Sequence, residues 1–172
     1  MILGDSEIKA RAKCTALVEP YSPQSLQPAS YDVALAGPFL FPCPGQVVCP
    51  GTTTPEYSTV DGDELVLRPG QFALASTFER VNLPRSLAAQ VDGRSTMGRL
   101  GLAVHVTAGW LDPGFTGHVT LEICNHGPQT LSIPVGTRVA QLVFFEVGGC
   151  QQGYCGRYQR QKQTEGAKAW KA

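Results

Sequence analysis

The sequence predicts an all-β domain, a compact barrel or jelly roll, with a short N-terminal helix and a polar C-terminal arm. Three observations carry this reading. Nineteen Gly and 13 Pro punctuate the 172 residues, and the apolar residues between them form short β-prone runs. No interval between these breakers is long enough for an extended amphipathic helix. The length suits one domain with a sizeable core, since single domains usually span about 100 to 200 residues.

The elements follow in chain order. Asp5 is placed as the N-cap of a short helix that carries Glu7, Ile8 and Ala12. Pro20, Pro23, Pro28, Pro38, Pro42, Pro44 and Pro50 then interrupt the chain. Strands are predicted over Tyr31 to Leu35, Leu65 to Leu67, Phe72 to Ser76, Val104 to Ala108, Val119 to Cys124 and Arg138 to Val147. No internal repeat or low-complexity segment interrupts them. From Gly148 the apolar alternation stops and Gly, Gln, Lys and Arg dominate, so residues 1–147 read as the β domain and 148–172 as an arm. On composition alone that arm either frays or orders over a ligand.

Charge is balanced, with 14 Lys plus Arg against 14 Asp plus Glu. Bulk electrostatics therefore recruit neither nucleic acid nor a membrane, and any anion site must be built locally. No apolar run approaches the roughly 18 residues that span a bilayer, and Met1-Ile2-Leu3-Gly4-Asp5 lacks a basic region before an apolar segment. A soluble cytoplasmic protein is expected, with Cys14, Cys43, Cys49, Cys124, Cys150 and Cys155 reduced.

The chemistry-bearing residues concentrate between Gly93 and Glu122. Ser95 is placed to cap a helix of one or two turns through Leu100, whose first amides would present free N–H groups beside Arg94, an arrangement that suits phosphate. Ser95 and Arg99, four residues apart, share a face of that helix. The same pattern also describes an ordinary capped helix with Arg99 in solvent. Asp112-Pro113-Gly114-Phe115-Thr116-Gly117 reads as a turn between two strands. On the outgoing strand, period two puts Val119, Leu121 and Ile123 on one face, with Thr120, Glu122 and Cys124 on the other. Glu122 is then either a solvated surface residue or a partly desolvated carboxylate near Arg99, able to move a proton. Trp110 is either core or the wall of a ligand pocket. His105, His118 and His126 follow no metal spacing, and none is assigned a catalytic role.

Gly93-Arg94-Ser95-Thr96-Met97-Gly98-Arg99-Leu100-Gly101-Leu102 resembles the Gly-Arg-Ser-Ser-x-x-Arg-Leu-Gly-Leu segment of dCTP deaminases, and His105-Val106-Thr107-Ala108 continues it. Tyr31-Asp32-Val33, Arg68-Pro69-Gly70 and Gly136-Thr137-Arg138-Val139-Ala140-Gln141-Leu142 are similar to further motifs of that family in the same order. The resemblance thus covers nearly the whole chain. It implies a distorted jelly roll of the dUTPase-like type, a homotrimer with sites at subunit contacts, and a deoxynucleoside triphosphate bound with Mg2+, the metal held through the triphosphate rather than by protein ligands.

Residue by residue, the resemblance implies that Arg94, Ser95 and Thr96 hold phosphates, with Thr96 standing where a Ser is usual. Ser95 and Arg99 would also orient the water and the cytosine amino end, while the Ala108 backbone reads the base edge. Gln141 and Trp110 join the substrate-binding set. Glu122 would be the general acid/base, and Asp112 would contact the 3′-hydroxyl. Tyr154, Arg157 and Gln161 fall where the family closes its arm over the triphosphate, Arg157 standing for a Lys.

Two segments are similar to the bifunctional deaminase/dUTPase subgroup. Ala108-Gly109-Trp110-Leu111-Asp112 departs from the Ala-His-Arg-Ile-Asp of monofunctional bacterial enzymes, and Arg157-Tyr158-Gln159-Arg160-Gln161 is close to Lys-Tyr-Gln-x-Gln. The implied activity is deamination of dCTP at C4 followed by cleavage of dUTP to dUMP and pyrophosphate, with dTTP a candidate inhibitor. No Cys-x-x-Cys occurs and no His-x-Glu precedes one, so the expectation is a reaction without zinc. A monofunctional deaminase, a dUTP pyrophosphatase alone and a non-catalytic nucleotide-sensing trimer are the alternatives.

Overall fold

The computed structural model describes residues 1–169. Helix α1 (Asp5–Thr15) is followed by β1 (Val18–Glu19), β2 (Leu26–Gln27), β3 (Ser30–Pro42), β4 (Tyr57–Val60), β5 (Glu64–Leu67), β6 (Phe72–Asn82) and β7 (Leu87–Gly93). Helix α2 (Ser95–Arg99) then leads to β8 (Leu102–Ala103), β9 (Trp110–Leu111), β10 (Thr116–Asn125), β11 (Leu131–Pro134) and β12 (Arg138–Glu146). One curled sheet runs in the order β8-β10-β6-β3-β12-β7-β9, with β1, β2 and β4 added at its sides, and β11 pairs with β5 in a separate ribbon. The all-β expectation therefore holds, with the sheet curled on itself as a distorted roll. No helix among the described residues is long and apolar enough to cross a membrane.

Strand β3 is what curls the sheet. Its first half pairs with β12 through Tyr31↔Leu142 and Asp32↔Gln141, and its second half with β4 through Phe39↔Val60. Pro38 lies in the stretch where the register with β6 slips between Ala36 and Leu40. A proline is tolerated at such an irregularity because its missing N–H breaks no regular ladder bond, so this strand continues past a residue that reads as a breaker. Leu3, Ile8, Tyr31, Phe39, Leu121 and Phe144 are fully enclosed in the core. Each such side chain contributes about 1.5 to 3 kcal/mol by leaving water.

Three local expectations need correction. Gly4, not Asp5, is the N-cap of α1, because the Glu7 carboxylate reaches back to the Gly4 N–H at 3.3 Å and Asp5 becomes the first helical residue. Arg94, not Ser95, is the N-cap of α2, with no side-chain capping bond. Val104 to Ala108 is irregular chain rather than a strand, for a reason given below.

A buried carboxylate marks the junction of β3 and β6. Glu79 is only 5% exposed, and its Oε2 accepts the Ala34 N–H at 2.9 Å. Burial pushes its pKa up from 4.5 and the charge of Asp32 adds to that, while the Ala34 N–H pulls the other way. A carboxyl whose pKa rises on folding binds its proton more tightly in the native state, so its stabilising share is present at low pH and lost as pH rises through the raised value. Glu79→Gln keeps an acceptor for Ala34 and carries no charge. The variant is therefore expected to match wild-type stability near pH 4.5 and to exceed it increasingly toward pH 8, read as thermal midpoints across that range. Parallel curves would contradict this account of Glu79.

Candidate active site

Strand β10 alternates as expected, with Val119, Leu121 and Ile123 buried and Thr120, Glu122 and Cys124 half-buried on the outer face. After Ala103 the neighbouring chain leaves the sheet and arches over Glu122. The Glu122 N–H donates to the Val104 carbonyl at 3.1 Å, and the Glu122 carboxylate accepts the Val106 N–H at 2.9 Å. A side chain thus takes a donor that a continued strand would give to backbone, which is why residues 104–108 are not a strand.

Gly109 presses this loop onto β7. Its carbonyl accepts the Val91 N–H at 2.7 Å, and a Cβ there would stand 2.9 Å from the Val91 carbonyl oxygen. Ala108 and Trp110 are thereby held at the mouth of a cavity of about 370 Å³, which Asp112, Glu122, Tyr154 and Gln161 also line. Trp110 is 52% exposed, its ring 5.5 Å from that of Phe145, so it is wall rather than core.

The C-terminal arm lies across this cavity. The Tyr154 N–H donates to the Pro113 carbonyl at 2.7 Å, and the Arg160 N–H to the Thr116 carbonyl at 2.7 Å. Gln159 accepts the Thr116 N–H and donates to the carbonyls of Gly114 and Tyr154, each at 2.8 Å. At Gly117 (φ 147°) a Cβ would come within 2.7 Å of the Gln161 nitrogen, so the arm's close approach requires glycine there.

A second cavity, about 410 Å³, lies at the start of α2 and is lined by Arg94, Ser95, Thr96 and Gln141 together with Asp32. Asp32 is 2% exposed. Its Oδ2 lies 3.0 Å from Arg94 Nε and 3.8 Å from Arg138 Nη1, and it accepts the Gln27 amide at 3.4 Å. Burial raises the Asp32 carboxyl pKa, and the two guanidinium groups oppose that rise. The ion pair fixes the Arg94 side chain, whose Nη1 also donates to the Arg138 carbonyl at 3.0 Å. Gln141 is fixed from both ends, donating to the Gly93 carbonyl at 3.1 Å and accepting the Ser30 hydroxyl at 2.9 Å.

The sequence-assigned residues thus fall into two groups that share no lining residue on one chain. The acidic and aromatic cavity holds Ala108, Trp110, Asp112, Glu122, Tyr154 and Gln161, and the second, with its Arg94–Asp32 ion pair, holds Arg94, Ser95, Thr96 and Gln141. Arg99 is exposed on α2 and lines neither, nor does Arg157, whose carbonyl accepts Lys168 Nζ at 3.1 Å. Sequence reasoning left Asp32 out of the site, although a carboxylate inside the apolar run Tyr31-Asp32-Val33-Ala34-Leu35 is itself a signal. It also missed Tyr57, Phe72 and Leu74, which wall the first cavity from β4 and β6 and carry no motif. Among the described residues no three His, Cys, Asp or Glu side chains converge as a metal-binding group.

The curled β sheet has the fold of solved dCTP deaminase and dUTPase structures. A 2′-deoxycytidine 5′-triphosphate deaminase from Agrobacterium tumefaciens superposes with a TM-score of 0.65 at 21% identity over 86% of this chain, which spans only 48% of that longer one. The dUTPase of Staphylococcus aureus phage phi11 superposes at 0.51 and 18% identity, over 78% of this chain and 92% of that one. Both likenesses concern the fold. A family model described as dCTP deaminase-like matches residues 2–147. A protein of Acidothermus cellulolyticus named "dCTP deaminase, dUMP-forming" is 36% identical over 99% of this chain and 96% of its own length. One of Halobacterium salinarum with the same name is 45% identical over 86% of this chain and 81% of its own. The chain belongs to the dCTP deaminase family.

Proposed function

We propose that this protein converts dCTP to dUMP, first releasing ammonia from C4 and then cleaving the resulting dUTP between the α and β phosphates. The observation that carries the reading is Glu122, a half-buried carboxylate in an aromatic-walled cavity, held by the Val106 N–H and without an ion-pair partner among the described residues. Water adds to C4 as Glu122 takes its proton. The carboxyl returns that proton to the ring nitrogen and then carries the C4 hydroxyl proton to the amino group, which leaves as ammonia as C4 becomes a carbonyl. A second water, oriented beside Asp112, attacks the α phosphorus and displaces pyrophosphate. The names of the relatives, "dCTP deaminase, dUMP-forming", support dUMP as the end product.

Charge assigns the two ends of the substrate. The first cavity carries the carboxylates Asp112, Glu122 and Glu165, of which Glu165 is paired with Lys168. A triphosphate is repelled there, whereas the second cavity sets Arg94, the nearby Arg138 and the hydroxyls of Ser95 and Thr96 against the single carboxylate of Asp32. Base and sugar therefore take the first cavity and the phosphates the second. The two cavities share no lining residue on one chain, and in this reading a neighbouring copy supplies the phosphate half, with a homotrimer closing the arrangement into equivalent sites. A Mg2+ would be carried on the triphosphate whose phosphates Arg94 and the Ser95 and Thr96 hydroxyls would hold, and the ion would supply shielding of phosphate charge. The deamination needs no zinc in this scheme.

Asp112→Asn tests the coupling of the two reactions. It is expected to leave dUTP accumulating from dCTP, with pyrophosphate release down about 10² to 10⁴-fold and ammonia release down far less. Equal loss of both products would contradict a separate role for Asp112.

A further inference from the structure

Strand β10 carries a second polar side chain beside Glu122. Thr120 lies two residues earlier on the same half-buried outer face and lines the same cavity. Its hydroxyl is the strand side-chain group that two groups of the arm meet. It accepts the Gln161 amide and, at 3.2 Å, the main-chain N–H of Glu165. Gln161 is only 4% exposed, so its amide N–H must be satisfied inside the protein, and Thr120 satisfies it. The neighbouring arm contacts at this strand, the His118 N–H to the Gln161 carbonyl at 2.9 Å and the Thr116 N–H to the Gln159 side chain at 2.8 Å, use only the strand's backbone and would tolerate any outward residue at position 120. A β-branched side chain is common in a strand. A hydroxyl that takes two donors from a distant segment is a specific device.

We propose that Thr120 is a positioning residue that clamps the arm onto the strand bearing Glu122, so that closing the cavity and presenting the carboxylate are one event. Thr120 touches no reacting atom. It acts through Gln161 and Glu165, and the proposal rests on the reading of the first cavity as the base-binding half of the site.

The test compares Thr120→Val, Thr120→Ala and Thr120→Ser in the full chain, by two readouts. One is the rate of trypsin cleavage in the arm at Arg157, Arg160 and Lys162 without nucleotide, and the other is KM against kcat for ammonia release from dCTP. Val and Ala are expected to speed arm cleavage about tenfold and to raise KM about tenfold with kcat within about threefold, the loss that goes with one or two buried hydrogen bonds. Ser, which restores the hydroxyl, is expected to stay within about twofold of wild type on both. Val and Ala with wild-type arm protection, or with exposed arms but unchanged KM, would overturn the clamp. So would a Ser variant as exposed as Val. If the wild type releases no ammonia, the functional reading fails, and the cleavage rates alone then decide the clamp.

Discussion

Glu122→Gln is expected to lower ammonia release from dCTP by about 10² to 10⁴-fold, the usual worth of a positioned general acid/base. The amide keeps the shape of the side chain and can still accept the Val106 N–H through its oxygen, so the loop over β10 stays in place. Nucleotide affinity should therefore change by no more than about threefold, which separates loss of proton transfer from loss of the site. Calorimetric binding of dCTP beside an ammonia assay reads both quantities. Release near the wild-type rate would remove Glu122 from the chemistry.

The second large effect comes from mixing. Ser95 lines the cavity at the start of α2 and Glu122 the acidic one, and on one chain the two cavities share no lining residue. If each working site takes Glu122 from one copy and Ser95 from its neighbour, Ser95→Ala and Glu122→Gln are each nearly inactive alone. In a randomly assembled equal mixture, half the copies offer an intact Glu122, half the neighbours an intact Ser95, and about one quarter of the sites are whole. Refolding the two variants together and assaying ammonia should recover about a quarter of wild-type activity. A mixture as inactive as its components would mean that both residues act within one copy.

Much of this architecture is legible in the sequence because half-buried strands write their burial with period two. Val119, Leu121 and Ile123 against Thr120, Glu122 and Cys124 is the clearest case, and the face that carries Glu122 is the outer one. What fails is what depends on partners far along the chain. Residues 104–108 have strand composition, yet the Glu122 carboxylate takes the Val106 N–H, a competition that no local window contains. Pro38 reads as a breaker and instead sits in the register slip of β3.

The site divides in the same way. Helical spacing puts Ser95 and Arg99 on one face, but it does not say which cavity that face meets, and Arg99 lines neither on its own chain. Tyr57 enters the first cavity from β4, where its hydroxyl accepts the Ala167 N–H of the arm at 3.1 Å. No spacing rule links residues so far apart. Asp32 was the more readable omission, since a carboxylate within a buried apolar strand needs partners, here Arg94 and Arg138.

One incubation tests the central claim most directly. Pure protein with dCTP and Mg2+ is sampled over time, and ammonia, dUTP, dUMP and pyrophosphate are quantified together. The account predicts that ammonia, dUMP and pyrophosphate rise in equal amounts while dUTP stays low. Ammonia matched by accumulating dUTP that the protein leaves uncleaved would contradict the second reaction, and cleavage of added dUTP with no ammonia from dCTP would contradict the first.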